Sequence, residues 1–249
     1  KKINKINKSK TICVGNIYIG GTGKTPSTLR LYEILKKINY DVVIGKKYYL
    51  SQRDEQILLK KKSKVVIENN RVEILKKLQN KKKQIIIFDD GLQDRDINYD
   101  LSFVCFDKNL WVGNNKLIPS GPLREKLDSL KKYDAVLIKG KTKKYKFLVN
   151  QIKKYNKDIK VFFSEIIPID IKKFSIKNRY LVFSGIGNPQ SFREILIKNK
   201  INIQKYIIYP DHYQYTEKDI EYIKSQAKKL NLKIITTEKD YLKISKSNQ

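Results

Sequence analysis

The stretch Thr11-Ile12-Cys13-Val14-Gly15-Asn16-Ile17-Tyr18-Ile19-Gly20-Gly21-Thr22-Gly23-Lys24-Thr25-Pro26 decides the fold. It opens as a short buried strand, Thr11–Val14, and runs into a glycine-rich turn. Beyond the turn, Leu31, Ile34, Leu35 and Ile38 recur at helical spacing. Strand, glycine-rich loop and helix, in that order, are what a phosphate-binding loop requires. Gly20, Gly21 and Gly23 let the backbone curl until successive N–H groups point at phosphate oxygens, and the helix N-terminus adds its dipole. In this reading Thr22 completes the loop, Lys24 contacts the β- and γ-phosphates, and the Thr25 hydroxyl ligates Mg²⁺. Pro26 stands near the helix start, where its missing N–H costs nothing. The common pattern has a further glycine at the position of Tyr18, so this loop is a variant.

Working outward, short apolar runs alternate with longer amphipathic stretches, which predicts an α/β fold of the P-loop NTPase type: a mostly parallel sheet flanked by helices. Strands are expected at Thr11–Val14, Val42–Ile44, Lys64–Ile67, Gln84–Phe88, Ser102–Phe106, Ala135–Ile138 and Val161–Phe163. A second, smaller α/β set begins after Pro168, with strands at Tyr180–Phe183, Tyr206–Tyr209 and Lys233–Thr236. The boundary near Glu165–Lys173 predicts a kinase-like domain over residues 1–166 and a smaller domain over 167–249. Lys139–Lys146 reads as a solvated loop or helix start.

Two further motifs sit where such folds do chemistry. Ile85-Ile86-Ile87-Phe88-Asp89-Asp90-Gly91 is an apolar strand ending in acid, the usual place for the carboxylates that organise Mg²⁺ opposite Thr25. His212, the only histidine, lies in Tyr209-Pro210-Asp211-His212-Tyr213, where Asp211 can orient and charge it. Ser184-Gly185-Ile186-Gly187-Asn188-Pro189 and Thr236-Thr237-Glu238-Lys239-Asp240 each follow a strand end, where open α/β sheets bind ligands. Helix capping by Asn188 or Thr237 is the plainer reading of these two.

Composition narrows the class. The chain has 249 residues with 40% hydrophobic content, enough for a buried core. No run of eighteen apolar residues and no signal-peptide pattern is present. The absence of Met predicts that Lys1 is not the natural start. A net charge of +29 calls for an anionic partner, yet only seven of the 54 basic residues are Arg, and a scatter of solvated lysines explains much of it. The opening Lys1-Lys2-Ile3-Asn4-Lys5-Ile6-Asn7-Lys8 is the part best suited to an anionic surface. Cys13 and Cys105 sit in apolar runs without metal-ligand spacing and read as buried reduced thiols.

Taken in order, these motifs resemble the tetraacyldisaccharide 4′-kinase (lipid A 4′-kinase) family from Ile12 to Ile244. The resemblance rests on Val14-Gly15-Asn16 through Pro26, Asp89-Asp90-Gly91-Leu92-Gln93, Leu117-Ile118-Pro119-Ser120-Gly121-Pro122-Leu123-Arg124-Glu125, Phe183 to Pro189, Tyr209 to His212, and Thr236 to Asp240. It implies transfer of the ATP γ-phosphate to the 4′-hydroxyl of a tetraacylated glucosamine disaccharide 1-phosphate, with Mg²⁺, at the cytoplasmic face of the bacterial inner membrane. The partners it implies are a lipid A disaccharide precursor and the inner-membrane surface, held peripherally, and no nucleic acid. By the same resemblance Asp54, in Gln52-Arg53-Asp54-Glu55-Gln56, is the general base and His212 its partner. Glu125 joins Thr25, Asp89 and Asp90 around the metal, while Asn16, Gln93, Arg124 and Asp211 bind substrate or support the site. The chain departs from the family at Arg53, Gln56 and Asp94, and in Ile44-Gly45-Lys46-Lys47-Tyr48, where the family has a Ser-Arg-Gly-Tyr-Gly type segment.

Two rivals fit less well. A membrane-associated ATPase of the partitioning type carries a signature Lys just before the paired glycines, where this chain has Ile19. A nucleic-acid-binding NTPase draws support from charge alone, since no basic stripe interleaved with aromatics is present.

Overall fold

The structure, a computed structural model, describes residues 9–79, 85–140 and 146–244. The basic run Lys1–Lys8, Gln84 and residues 141–145 of the lysine-rich stretch lie outside the described residues. Strands β1 (Lys10–Gly15), β2 (Val42–Lys47), β3 (Val65–Glu68), β4 (Ile85–Asp89), β5 (Leu101–Asp107), β6 (Ala135–Lys139) and β7 (Lys160–Ser164) form one sheet. Their order is β3-β2-β4-β1-β5-β6-β7, and every neighbouring pair is parallel. Helices α1 (Lys24–Lys37), α2 (Arg53–Lys62), α3 (Arg71–Gln79) and α4 (Lys146–Tyr155) accompany it. The inner strands are buried along nearly their whole length, as a sheet covered on both faces must be. The edge strands β3 and β7 are only half-buried. Cys13, Ile86, Phe88, Val104, Phe106 and Val136 anchor the core. Both cysteines are free and buried, and burial pushes the Cys105 thiol up to about 12.

A parallel sheet gathers the C-terminal ends of its strands along one edge, and that edge carries the polar residues. Gly15, Lys46, Asp89, Asp107 and Lys139 all stand there. The links from β4 to β5 and from β5 to β6 contain no α-helix; the second holds only the 3₁₀ turn Leu127–Lys132. Freed from spanning the sheet as helices, these links carry Asp90, Gln93, Arg124 and Glu125.

A three-stranded parallel sheet follows, ordered β10-β8-β9, from β8 (Arg179–Ser184), β9 (Asn202–Ile208) and β10 (Lys233–Ile235). Its helices are α5 (Pro189–Lys198), α6 (Glu217–Lys229) and α7 (Glu238–Ile244). Strand β9 begins at Asn202, well before the expected Tyr206, and ends before Tyr209. It is an edge strand whose alternating polar residues hide it from a search for apolar runs. Asn188 caps α5 by accepting a hydrogen bond from the Ser191 amide at 2.9 Å, and Thr237 accepts from the Asp240 amide at 3.1 Å. Thr216 and Asp219 form a reciprocal capping box on α6.

The chain divides into two compact units. One holds the residues up to Leu50 and Leu59–Ile166; the other holds Ser51–Leu58 and the residues from Ile167 onward. The first turn of α2, with Asp54, therefore groups with the C-terminal residues. Among the described residues no helix is long and apolar enough to cross a membrane.

Strand β2 continues past the expected Ile44 because Gly45 and Lys46 are fully paired with β4, Gly45 beside Phe88 and Lys46 beside Asp89. A Cβ at Gly45 would stand 3.0 Å from the Phe88 ring and 3.1 Å from Ile74. Gly45→Ala is expected to destabilise the protein by about 1–3 kcal/mol through overpacking. Urea denaturation measures this, and an unchanged midpoint would show that the ring has room to yield.

Candidate active site

In the first unit the loop after β1 turns on two glycines with positive φ, Gly20 at 95° and Gly23 at 88°. Gly23 is the N-cap of α1 in the left-handed region, where a side chain is strained, and no side chain caps the helix. The first amides of α1 are thus left for an anion. Tyr18 needs no such freedom: it forms an antiparallel bridge with Leu123, and the Ile19 amide donates to Pro122 O at 2.8 Å. The segment ending in Arg124 braces this loop in place of the missing glycine. The Asn16 amide group donates to Thr22 Oγ1 at 2.8 Å and ties the loop to its own base.

Asp89 is fully buried at the end of β4. Thr25 Oγ1 donates to its Oδ2 at 3.3 Å and Thr28 Oγ1 to its Oδ1 at 3.0 Å. The two threonines lie three residues apart and so share one face of α1. Lys46 Nζ completes the set at 2.7 Å from Oδ2, with its side chain 1% exposed. Lys46 was not singled out in the sequence, because a lysine inside a strand reads as one more solvated charge. The strand register betrays it, since Lys46 pairs with Asp89 across a parallel ladder and so points to the same face.

Asp90 turns the other way, with φ 58°. Arg124 donates to its Oδ1 at 2.8 Å, and Lys24 Nζ lies 3.5 Å from Oδ2. Burial alone raises the Asp90 carboxyl, but Lys24 and Arg124 outweigh burial and hold it below the usual carboxylate range. Arg124 also donates to Asn16 Oδ1 at 2.9 Å. Glu125 accepts from Gln93 at 2.6 Å and from the Tyr133 hydroxyl at 2.9 Å, and Gln93 donates onward to Asn16 O at 3.0 Å. Arg71, another residue missed in the sequence, is buried and donates to the Asp90 and Asp89 carbonyls.

The structure therefore brings Thr25 and Asp89 together, while Asp90 is engaged by Lys24 and Arg124, and Glu125 by Gln93 and Tyr133. Mg²⁺ prefers hard oxygen ligands and fills most of its shell with water and phosphate, so one or two protein groups suffice. The Thr25 hydroxyl and the Asp89 carboxylate are such a pair. Among the described residues no three His, Cys, Asp or Glu side chains gather into a protein-enclosed metal cage. The donors fit Mg²⁺ arriving with phosphate.

The second unit holds a separate cluster, built from the first turn of α2, the turn after β9 and helix α7. Asp54, with no exposed side-chain surface, accepts from or shares a proton with His212 Nδ1 at 2.9 Å. Lys239 Nζ lies 3.2 Å and Lys243 Nζ 3.6 Å from Asp54 Oδ2. It is Asp54, and not Asp211, that grips the ring: Asp211 Oδ1 accepts from the His212 backbone amide at 3.0 Å, while its other oxygen stands 3.8 Å from Nε2. His212 adopts φ 60°, so the turn itself presents the ring. Lys239 reaches Glu55 at 3.7 Å and Asp211 at 3.5 Å as well, and Lys243 pairs with the buried Asp240 at 2.9 Å. Burial raises the Asp54 carboxyl, but the His212 hydrogen bond and the charges of Lys239, His212 and Lys243 bring it well below the usual range. Burial lowers the Lys239 ammonium, and Glu55, Asp54 and Asp211 reverse that and raise it. Both lysines were invisible among the many in the sequence, although Lys239 lay in a quoted motif.

A family model described as tetraacyldisaccharide-1-P 4′-kinase matches residues 4–249. A tetraacyldisaccharide 4′-kinase of Pelagibacter ubique is 46% identical over 243 residues, covering 98% of this chain and 77% of that protein. The Rickettsia bellii tetraacyldisaccharide 4′-kinase is 37% identical over 257 residues, covering 96% and 78%. The crystal structure of LpxK from Aquifex aeolicus, in complex with ATP, superposes with a TM-score of 0.66 at 24% identity, covering 98% of this chain and 80% of that one; it shares the fold.

The depressed Asp54 carboxyl has a consequence for stability. A carboxyl whose folded pKa lies below its unfolded value, about 4, contributes stability at pH above 4 and loses it as pH falls toward the folded value. Asp54→Asn should therefore be less stable than the unaltered protein at pH 6, with the gap closing as pH falls below about 4. Urea unfolding at pH 6 and pH 3 tests the sign; a gap that widens in acid contradicts the assignment of these cations to Asp54.

Proposed function

The chain belongs to the tetraacyldisaccharide-1-P 4′-kinase family, and we infer that its two polar clusters divide that reaction into a donor half and an acceptor half. As a kinase of lipid A biosynthesis it moves the γ-phosphate of ATP to the 4′-hydroxyl of a tetraacylated disaccharide 1-phosphate. The observation that carries the division is the 2.9 Å hydrogen bond between Asp54 and His212, which joins two residues distant in sequence at a buried carboxylate.

On the donor side, the backbone amides of Gly20 to Thr25 and the start of α1 bind the phosphates. Lys24 leaves Asp90 to meet the β- and γ-oxygens, and Asp90 keeps Arg124 as its partner when it does. Thr25 and Asp89 hold Mg²⁺, which supplies Lewis-acid neutralisation of the phosphate charge when bound. Asn16 and Gln93 support the loop through hydrogen bonds, and Glu125, first expected at the metal, joins them in that supporting role.

On the acceptor side Asp54 is the base and His212 its partner. A carboxylate held ionised by two lysines is a weak base, and phosphoryl transfer through a loose transition state asks for little more. As the hydroxyl oxygen bonds to the γ-phosphorus and the bond to the bridging oxygen breaks to release ADP, the hydroxyl proton passes to the Asp54–His212 pair by way of the ring, the accessible member at 22% exposed. We place the enzyme peripherally at the cytoplasmic face of the inner membrane, where its lipid substrate lies, with the basic surface favouring anionic headgroups.

Purified protein given ATP, Mg²⁺ and the disaccharide 1-phosphate should form the 4′-phosphorylated lipid; absence of labelled product from folded, ATP-binding protein would remove the kinase reading. Asp54→Ala should lower turnover by about 10²–10⁴-fold. His212→Ala should act through the same step, so the double variant should be little worse than the poorer single one. Losses that multiply would show two independent roles.

A further inference from the structure

Asp89 carries a full charge with no exposed surface, and a buried carboxylate is tolerated only when paired. Its hydroxyl donors Thr25 and Thr28 are neutral, so the compensating charge comes from Lys46, itself fully buried. Lys46 is held there by three constraints. Its register beside Asp89 sets the face, the 2.7 Å contact sets the distance, and the burial removes the alternative of a solvated ammonium. Lys46 therefore meets the same carboxylate oxygen, Oδ2, that Thr25 meets at 3.3 Å. The proposal rests on the reading of Thr25 and Asp89 as the Mg²⁺-facing pair.

We propose that Lys46 is a resident counter-cation of the donor site. It pairs with the buried Asp89 carboxylate and keeps it aimed at Thr25 before any metal arrives, and would then share that carboxylate with Mg²⁺. Lys46 is thus a positioning residue: it acts through Asp89. The site is preformed without metal, so Mg²⁺ alone changes the unaltered protein little. Remove the lysine charge, and the buried carboxylate is left uncompensated; divalent metal then becomes a folding ligand as well as a cofactor.

The test uses Lys46→Met, which keeps the chain length and removes the charge, and Lys46→Arg, which keeps the charge. Thermal unfolding is followed with EDTA and with saturating Mg²⁺, without nucleotide. Lys46→Met is expected to lose roughly 10 °C in Tm under EDTA, the order expected for a broken buried pair, and to regain a large part of it with Mg²⁺. The unaltered protein and Lys46→Arg should respond to Mg²⁺ by no more than a degree or two, roughly, as expected when the apo site is already neutralised. Should Lys46→Met not fold under EDTA, the Lys46→Met/Asp89→Asn double variant decides. With both charges gone it should fold without metal and ignore Mg²⁺. An equal Tm loss in Lys46→Met with and without Mg²⁺, or a double variant no more stable than Lys46→Met, would overturn the proposal in favour of simple packing. A separate measurement guards the premise: affinity for a non-hydrolysable ATP analogue, titrated with Mg²⁺ in the unaltered protein. If that affinity ignores Mg²⁺, the metal reading of Asp89 fails by itself, whatever the Tm values show.

Discussion

The buried Asp89 carboxylate is the constraint around which the first unit is organised. A buried charge requires donors around it, and three side chains from two elements supply them: Thr25 and Thr28 from α1, and Lys46 from β2. The requirement reaches back into the fold. Strand β2 must lie beside β4 in the register that sets Lys46 next to Asp89, because a slip of one residue would turn the lysine to the opposite face of the sheet. Helix α1 must present two hydroxyls one turn apart. The phosphate loop is then fixed at both ends, by β1 on one side and by the Thr25–Asp89 contact on the other.

The second unit solves a similar problem with other residues. Asp54 is as buried as Asp89, and two lysines from a short C-terminal helix, Lys239 and Lys243, stand in for Lys46. In each unit an aspartate is charged and oriented before any substrate is present. Groups aligned in advance need no reorganisation while phosphate charge builds up, and that is where electrostatic catalysis gains most. Asp90 follows the same logic with looser partners, Lys24 and Arg124, the first of which is the residue proposed to meet the phosphates.

Much of this could be read from the chain. The strand–loop–helix at Thr11–Leu35 and the apolar strand ending in Asp89-Asp90 carry their own periodicity and their own punctuation, and both stand where expected. The Asp54–His212 pair was legible only by resemblance, for nothing local links residues so far apart. Most of what stayed hidden among the site's cations has one cause. In a chain with 54 basic residues a functional lysine looks like any other, so Lys46, Lys239 and Lys243 gave no signal. Lys46 was further masked by a segment that departs from the family pattern. The first half of the edge strand β9, Asn202–Lys205, escaped because alternating partial burial leaves no apolar run there, and the placement of Asn188 and Thr237 at helix starts follows from capping alone.

Asp54 reaches its partners from the middle of the other unit's sequence: Ser51–Leu58 groups with the residues beyond Ile166, and His212 lies 158 positions downstream. The smaller unit is therefore discontinuous in the gene. Recombination at a single crossover near residue 166 would bring a foreign Lys239, Lys243 and His212 to a native Asp54, or the reverse. The residues proposed for the acceptor side therefore do not form one contiguous segment that could be moved as a cassette. A substitution in segment 51–58 meets its consequences in the C-terminal third, although more than a hundred residues of the first unit lie between them in the chain.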